Sequence, residues 1–251
     1  EARELVCCAA GKSREELSRA SRLYVPDAVE QQARALVQRH LEGEPVAYLI
    51  GEWEFYGLPL DISERVLIPR PDTEVLAAAA IEGLQGVESP RVLDLCAGSG
   101  CVGLAVAKHV SGSHMVLGEI DEGALRVCRQ NIRRTGLSGQ VVSMQLNALE
   151  KAPPRLGEFD CIVSNPPYIP DGDIAGLDPS VRDYEPHLAL KGGADGLDFY
   201  RAICENWRGA LRTGGRLYFE VGIGQAGDVG AILAQNQFEQ IQTFQDTQGI
   251  G

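Results

Sequence analysis

Short apolar runs alternate with amphipathic stretches along the chain from Pro71 onward. Apolar runs of about four to eight residues bounded by turn residues are typical of buried strands, whereas longer stretches with apolar positions three and four apart are typical of helices. A regular succession of the two predicts a parallel sheet with helices on both faces. The hydrophobic pattern therefore predicts a doubly wound α/β domain over residues 71–251.

The apolar runs predict strands at residues 90–95, 114–118, 141–146, 159–164, 216–221 and 238–244. The amphipathic stretches predict helices at residues 74–84, 101–110, 122–135, 197–211 and 225–234. Residues 169–196 show neither pattern and are rich in Asp, Gly and Pro. Because so long an irregular loop in a compact domain is usually functional, we expect a substrate-facing lid there; a floppy surface excursion is the alternative.

Residues 1–70 have a different pattern of apolar and polar positions. Short helical stretches at 14–23 and 28–41 predict a small helical domain over residues 1–42, in which Asp27 can cap the second helix. Residues 48–68 alternate apolar and polar positions around several turn residues, which predicts a β-hairpin. We therefore expect a linker with a β-hairpin over residues 43–70.

The composition is compatible with a soluble enzyme. The 251 residues are 44% hydrophobic, and no run approaches the ~20 apolar residues of a membrane span. The net charge of −12 disfavours broad binding to nucleic acid, since such binding depends on Lys and Arg that neutralise phosphates. Seven scattered cysteines without a C-x-x-C pair favour a reducing cytoplasm, and four histidines without ligand spacing predict no metal site.

A glycine-rich loop follows the predicted strand at 90–95. It reads Cys96-Ala97-Gly98-Ser99-Gly100. Glycines at a strand-to-helix turn let the backbone approach a ligand, and the helix N-terminus behind them favours polar or anionic groups. Gly98, Gly100 and Gly103 also satisfy the loose dinucleotide pattern G-x-G-x-x-G, which is a weak signal when it stands alone. The loop indicates a nucleotide-type cofactor without identifying it.

Acidic residues stand where such a cofactor needs them. The next predicted strand ends in Glu119-Ile120-Asp121, about 20 residues past the first glycine, where nucleotide-binding folds place a ribose-holding carboxylate. We choose Glu119, because Asp121 can instead cap the following helix. Asp94 lies inside the first strand, where it can orient the loop or meet the cationic methionine end of S-adenosylmethionine (AdoMet). A nicotinamide cofactor does not require Asp94, so AdoMet is the better fit.

The tetrapeptide Asn165-Pro166-Pro167-Tyr168 follows the predicted strand at 159–164. The Asn165 side chain carries both an acceptor and a donor, and prolines lack N–H groups, so the carbonyls around them can face a ligand. The Asn165 side chain and the Pro166 carbonyl could accept both hydrogens of a planar –NH2 group that lies against the Tyr168 ring. An ordinary proline-rich turn is the alternative. Beside a methyl donor, the motif predicts methylation of an amide or amino nitrogen.

Three blocks ahead of the glycine loop carry a family resemblance. They are residues 43–51, 54–57 and 67–74, which read GEPVAYLIG, EFYG and LIPRPDTE. Together with Asn-Pro-Pro-Tyr, they make nearly the whole chain resemble HemK/PrmC-type protein-(glutamine-N5) methyltransferases. The resemblance implies a seven-stranded, Rossmann-like AdoMet-dependent methyltransferase domain behind a small N-terminal helical domain. It also implies that AdoMet, which becomes S-adenosylhomocysteine, methylates the glutamine of the Gly-Gly-Gln loop in class 1 peptide-chain release factors.

The residues of the site follow from the motifs and the resemblance together. Catalytic roles are expected for Asn165, Pro166 and Tyr168. Substrate contacts are expected from Asn165, Pro166, Pro167, Tyr168 and Arg70. Cofactor contacts are expected from Asp94, Cys96, Ala97, Gly98, Ser99, Gly100, Glu119, Ile120, Asn147, Ala148 and Asn165. The chain departs from the family at Ala148, where an aromatic residue is common: Asn147 can still accept from the adenine amino group, but Ala148 cannot stack on the ring.

Other functions stay open at this point. An amino-methyltransferase acting on adenine or guanine in DNA or RNA would place a flipped base in the same pocket, although the acidic charge disfavours it. A non-catalytic AdoMet-binding scaffold would show damaged motifs, and an oxidoreductase would respond to a nicotinamide cofactor. We expect a monomeric, cytoplasmic enzyme that acts on release factors. Because the family usually has further helical sequence before residue 1, we expect its helical domain to be truncated here.

Overall fold

A small helical layer begins the protein, whose computed structural model describes residues 1–19, 24–245 and 249. The helices of this layer are α1 (Ala2–Ala10), α2 (Arg14–Arg19), α3 (Asp27–Leu41) and α4 (Val46–Ile50). Leu5 of α1, Leu36 of α3 and Leu49 of α4 are buried in one cluster. The predicted helix at 14–23 corresponds to α2, and its residues 20–23 lie outside the described residues.

The helical layer continues past the predicted boundary at residue 42. Val46 of α4 joins the same buried cluster, and α4 packs against α1 and α3. With only five residues, α4 is too short to show a helical period, which explains why the hydrophobic pattern did not predict it. The predicted cap is also different, because Pro26 takes the N-cap position and Asp27 is the first residue of α3.

A β-hairpin joins the helical layer to the rest of the chain, as predicted. Its strands, β1 (Glu52–Phe55) and β2 (Leu58–Asp61), pair antiparallel. Tyr56 and Gly57 form the turn with φ values of 51° and 73°, the left-handed conformation of a tight two-residue hairpin turn. Asn131 fastens the end of β2, since its side chain accepts from the Asp61 N–H and donates to the Asp61 carbonyl.

A parallel sheet forms the centre of the second domain. Its strands are β3 (Arg91–Leu95), β4 (His114–Glu119), β5 (Val141–Gln145), β6 (Phe159–Ser164) and β7 (Leu211–Phe219). They lie in the order β5-β4-β3-β6-β7. The helices of this domain are α5 (Thr73–Gly83), α6 (Cys101–His109), α7 (Glu122–Arg134), α8 (Pro179–Arg182), α9 (Asp198–Asn206) and α10 (Ala226–Gln235). The predicted α/β class is confirmed.

Helices cover both faces of the sheet, because successive residues of a strand point to opposite sides. In β3, Val92 packs in a cluster with Leu76 of α5 and Val127 of α7. The next residue, Leu93, packs in a second cluster with Ile203 of α9. Strands that are buried on both faces read as continuous apolar runs, which is why their positions could be predicted.

The sheet has five strands within the described residues, not the seven that the resemblance implied. The predicted strand at 238–244 is wrong, since these residues form no regular structure. Ile241 and Phe244 are 42% and 51% exposed, and of the apolar residues in this stretch only Phe238 packs against a core cluster. A strand needs a neighbour for its backbone hydrogen bonds, and residues 246–248, 250 and 251 lie outside the described residues.

Residues 169–196, predicted to be irregular, contain three short helices. The 3-10 helices Asp171–Gly176 and His187–Ala189 lie on either side of α8. Ile169 and Lys191 form an isolated parallel bridge that brings the two ends of the segment together. The segment is therefore an ordered loop with a closed base, and its action as a lid stays a prediction.

The order of the strands reverses beside β3, which lies between β4 and β6. In open α/β sheets, ligands bind at such a switch point, in the crevice outside the carboxyl ends of the strands. The glycine loop leaves β3 at this edge, and Asn165 follows the last residue of β6 at the same edge. The fold thus brings the two predicted motifs together.

Candidate active site

The glycine loop between β3 and α6 is shaped by close packing. Cys96, Gly98 and Gly100 have φ values of 61°, 53° and 82°. A Cβ atom at Gly103 would lie 2.2 Å from Leu117 Cδ2, so glycine is required for α6 to pack this closely on the sheet. Close packing holds the start of α6 against the carboxyl ends of β3 and β4.

The Glu119 carboxylate organises the edge of the loop. Its Oε2 accepts from the Gly98 N–H at 2.9 Å, and its Oε1 accepts from the N–H groups of Ile120 and Asp121 at 2.8 and 3.0 Å. An ionised carboxylate can accept about four hydrogen bonds, so capacity remains for a ligand hydroxyl. The Asp121 side chain caps α7 by accepting from the Ala124 N–H at 2.8 Å. This arrangement supports Glu119 over Asp121 as the ribose contact.

Asp94 is a buried carboxyl group inside β3. Only 2% of the residue is exposed, and its Oδ2 accepts from the Gly103 N–H at 2.8 Å. Burial raises the pKa of Asp94 to about 7, the Gly103 hydrogen bond lowers it in part, and the charge of Glu119 raises it further. The group can therefore change its charge near neutral pH when a cation approaches.

A cavity of about 340 Å³ opens beside these groups. Residues of the glycine loop and of the acidic strand end line it, together with the Asn-Pro-Pro-Tyr motif, the linker and the 169–196 segment. The lining includes Asp94, Cys96, Ala97, Gly98, Ser99, Glu119, Ile120, Asp121, Asn165, Pro167, Arg65, Val66, Thr73, Leu188 and Phe199. The structure thus gathers most of the predicted cofactor contacts around one space, with Gly100 in the loop behind it.

The residues around this cavity fit a nucleoside-bearing cofactor such as AdoMet. Ser99 Oγ is buried and has no hydrogen-bond partner within the described residues. A bound polar group could satisfy this hydroxyl. Ile120 and Phe199 add apolar walls suited to a flat ring. Phe199 was missed at the sequence level, because an aromatic residue in the first turn of a helix carries no local sign of a ligand.

The structure does not bring Asn147 and Ala148 to the cavity. The Asn147 side chain is engaged in a local turn, where Oδ1 accepts from the Leu149 N–H and Nδ2 donates to Glu150, both at 3.0 Å. Ala148 is 5% exposed, and its carbonyl accepts from Trp207 Nε1 at 3.0 Å. Their roles at the adenine were predicted from the resemblance and stay predictions.

Asn165 directly follows β6 and lines the cavity. The preceding residue, Ser164, fastens β6 to β3 by donating its hydroxyl to the Leu95 carbonyl at 2.7 Å. Asn165 Nδ2 donates to Thr73 Oγ1 at 3.3 Å, across 92 residues of sequence. This contact faces the NH2 group inward, which leaves the Asn165 Oδ1 to accept from a ligand.

Tyr168 does not line this cavity but lines a second one, of about 580 Å³. Its carbonyl accepts from Gln225 Nε2 at 2.9 Å. A Cβ atom at Gly196 would lie 2.3 Å from the same carbonyl oxygen, so the end of the 169–196 segment packs directly on the motif. Burial raises the pKa of the Tyr168 hydroxyl to about 12, and the charge of Glu220 contributes. The motif therefore lies between two cavities.

Arg70, predicted to contact substrate, lines the second cavity and not the first. It forms an ion pair with Glu185 of the 169–196 segment, whose side chain is 1% exposed. The neighbouring Tyr184 hydroxyl donates to the Glu42 carbonyl at 3.2 Å. Both contacts fasten the segment to the first 70 residues of the chain, a role for Arg70 that the sequence did not predict.

Glu220 is a further, half-buried acid that the sequence analysis missed. It follows β7 directly, and its Oε2 is buried without a hydrogen bond within the described residues. Burial raises the pKa of Glu220, and hydrogen bonds with the side chains of Thr73 and Asn165 lower it in part. An acid at the carboxyl end of a predicted strand was the available signal, but its proximity to Asn165 depends on β6 and β7 being neighbours.

Two family models match the chain. The Methyltransferase small domain matches residues 73–176, and the PrmC N-terminal domain matches residues 1–51. The first covers the glycine loop and the Asn-Pro-Pro-Tyr motif, and the second covers the helical layer through α4.

Similar proteins agree with these models. A release factor glutamine methyltransferase of Clostridium acetobutylicum is 40% identical over 202 residues, 80% of this chain and 71% of the relative. Another, from Geobacter sulfurreducens, is 42% identical over 219 residues, 86% of this chain and 74% of the relative. The hMettl16 catalytic domain, solved in complex with a MAT2A 3'UTR hairpin, superposes with a TM-score of 0.62 at 17% identity, covering 77% of this chain and 72% of its own. At that identity the superposition shows a shared fold.

Proposed function

The chain belongs to the family of release factor glutamine methyltransferases, and on that premise we propose that it methylates the side-chain amide nitrogen (N5) of a release-factor glutamine. The glutamine is that of the Gly-Gly-Gln motif in class 1 peptide-chain release factors, and AdoMet is the methyl donor. One observation carries the proposal: Asn165 lines the cavity that would hold the cofactor, and its NH2 group is already engaged by Thr73.

Bound AdoMet supplies an electrophilic methyl group on its sulfonium. Glu119 and the glycine loop would hold its ribose, and Ile120 and Phe199 would contact its ring. Asp94 lies where a carboxylate can meet the cationic methionine end. These residues would bind and orient the donor beside Asn165, which lines the same cavity.

The amide nitrogen of glutamine is a weak nucleophile, because its lone pair is delocalised into the carbonyl. The protein therefore has to position it. Asn165 Oδ1 and the Pro166 carbonyl accept the two amide hydrogens, which aims the nitrogen at the methyl group. As the new bond forms, these acceptors stabilise the positive charge that develops on nitrogen. The proton leaves late, to solvent.

We infer a cytoplasmic, monomeric enzyme whose protein partners are class 1 release factors. The translation-related substrate of its family and the seven cysteines, all of them free thiols, support the compartment. Every helix among the described residues is too short or too polar to span a membrane.

Mass spectrometry of a release factor tests the function. After incubation with AdoMet, we expect a gain of one methyl group on the glutamine of the Gly-Gly-Gln motif. A release factor with this glutamine replaced by alanine is the control and should gain nothing. Total nucleic acid, incubated with tritiated AdoMet in a parallel reaction, should stay unlabelled. Label in nucleic acid without methylation of the release factor would point to a base amino-methyltransferase instead.

A further inference from the structure

Glu220 emerges from the sheet directly beside Asn165. Its N–H donates to the Ser164 carbonyl at 3.0 Å, one residue before Asn165. Its own carbonyl accepts from the Tyr200 hydroxyl at 2.9 Å. Because both backbone groups of Glu220 are bound, its side chain can leave the strand in only a narrow range of directions.

Three side chains meet at this point. Asn165 Nδ2 donates to Thr73 Oγ1 at 3.3 Å. Asn165 and Glu220 are neighbours because the residues that precede them, Ser164 and Phe219, pair in the sheet. The side chains of Thr73 and Asn165 also lower the pKa of the Glu220 carboxyl group in part. Thr73 is 2% exposed, and Glu220 Oε2 is buried. Water therefore cannot easily replace a missing member of the group.

The acceptor-only character of a carboxylate sets the direction of each hydrogen bond. An ionised Glu220 cannot donate, so Thr73 and Asn165 must both donate to it. The single hydroxyl proton of Thr73 is then used, and its oxygen can only accept from Asn165. Both requirements turn the NH2 group of Asn165 toward Thr73 and Glu220, and they leave its Oδ1 facing the substrate.

We propose that Glu220 is a positioning residue that holds the Asn165 amide with its Oδ1 toward the substrate. The proposal rests on the proposed function, in which Oδ1 accepts from the –NH2 group of a glutamine. If the Asn165 amide were flipped, its NH2 group would face the NH2 group of the glutamine. Neither group could then accept a hydrogen bond. Oxygen and NH2 have nearly the same shape, so packing does not prevent the flip, whereas an acceptor-only neighbour does.

Glu220→Gln tests the positioning role, because glutamine keeps the shape but can turn either oxygen or NH2 toward Asn165. We expect kcat on a release factor to fall about 10-fold in Glu220→Gln and about 100-fold in Glu220→Ala. KM for the release factor and Kd for AdoMet should stay within about twofold of wild type, since neither binding surface changes. Glu205→Gln, an exposed position on α9, is the control and should match wild type. A wild-type kcat in Glu220→Gln would overturn the proposal.

A double-mutant cycle separates positioning from a general loss of structure. In an Asn165→Ala background there is no amide left to orient, so Glu220→Gln should not lower the single-turnover rate further. An equal loss in the two backgrounds would show that Glu220 acts independently of Asn165, and the proposal would be abandoned.

The side-chain NH2 resonances of Asn165 report on its orientation without any substrate. They can be assigned by their absence from the spectrum of Asn165→Ala. We expect them to shift and to exchange faster with solvent in Glu220→Gln, and to be unchanged in Glu205→Gln. Unchanged resonances in Glu220→Gln would contradict the positioning role. If the shift occurs but wild-type protein does not methylate release factors, the orientation is supported and the proposed function fails.

Discussion

The two sides of the Asn-Pro-Pro-Tyr motif are built in different ways. On the cofactor side, backbone N–H groups donate to carboxylates that are near in sequence: Gly103 to Asp94 across nine residues and Gly98 to Glu119 across 21. Around Asn165 and the second cavity, which would be the substrate side under the proposed function, side chains pair over long distances in sequence. Arg70 pairs with Glu185 across 115 residues, and Asn165 pairs with Thr73 across 92.

This difference decides how each side responds to substitution. Every residue except proline supplies a backbone N–H, so the loop keeps its donors through most substitutions, provided that the glycines and the acids stay. A contact between two side chains is lost when either one changes. We therefore expect single substitutions to alter the rate on the substrate side and the affinity for AdoMet on the cofactor side.

Removing the Asn165 amide should give the largest effect. In Asn165→Ala we expect kcat to fall about 10²- to 10³-fold, the usual cost of losing one group that stabilises developing charge. AdoMet affinity, measured by calorimetry, should change little, because the contacts of Glu119 and the loop are intact. Asn236→Ala, a helix-end asparagine far from the motif in sequence, is the control. Wild-type turnover in Asn165→Ala would show that the motif has another role.

Glu119→Ala should change AdoMet affinity, whereas Asn165→Ala should change kcat. We expect AdoMet to bind more weakly by about 1–3 kcal/mol, the cost of a lost hydrogen bond to a charged group. Glu122→Ala, an exposed acid in the first turn of α7, controls for the change in charge. Titration calorimetry measures both variants. If Glu119→Ala binds AdoMet as wild type does, the ribose contact belongs to Asp121.

Arg70→Ala should destabilise the protein by removing the partner of a buried acid. We expect the free energy of unfolding to fall by about 1–2 kcal/mol, less than the cost at a fully buried pair, because the Arg70 side chain is 38% exposed. Arg129→Ala removes an exposed pair with Glu122 and should cost about 0.5 kcal/mol or less. Urea denaturation compares the two, and equal losses would mean that Arg70 does not hold the 169–196 segment.

The pH dependence of AdoMet binding should give the smallest effect. The Asp94 carboxyl, with a pKa of about 7, is mostly protonated below neutral pH, and a bound cation favours the ionised form. AdoMet binding should therefore release a proton and tighten by at most about tenfold per pH unit as the pH rises toward 7. Calorimetry in buffers of different ionisation enthalpy detects the proton. The same pH dependence in Asp94→Asn would assign it to another group.

Much of the fold could be predicted because its signals are local. The strand at 159–164 has the predicted bounds, since an apolar run between turn residues is visible without any partner. The hairpin was predicted from alternation alone. The predicted strand at 238–244 was wrong, because the apolar residues of a segment do not show whether a neighbouring strand exists to pair with it.

The candidate site likewise contains some residues that the sequence could predict and others that it could not. The loop residues and Glu119 could be placed from spacing along the chain, and the structure gathers them around one cavity. Thr73, Glu185 and Phe199 could not be placed, because each meets the site from a distant segment. The Asn147 side chain donates to Glu150 in a local turn, and its expected contact with the adenine stays a prediction.

The amino-acid sequence was sufficient to predict a doubly wound domain, a nucleotide-type loop and an amide-binding tetrapeptide, because each depends on residues that are close along the chain. Only the tertiary structure showed which side of the tetrapeptide faces the cofactor cavity and which acid lies behind Asn165. Glu220 is 55 residues away in sequence (220 − 165) but one strand away in the sheet. The order of the strands sets that distance, and the order of the strands follows from the packing of the whole sheet.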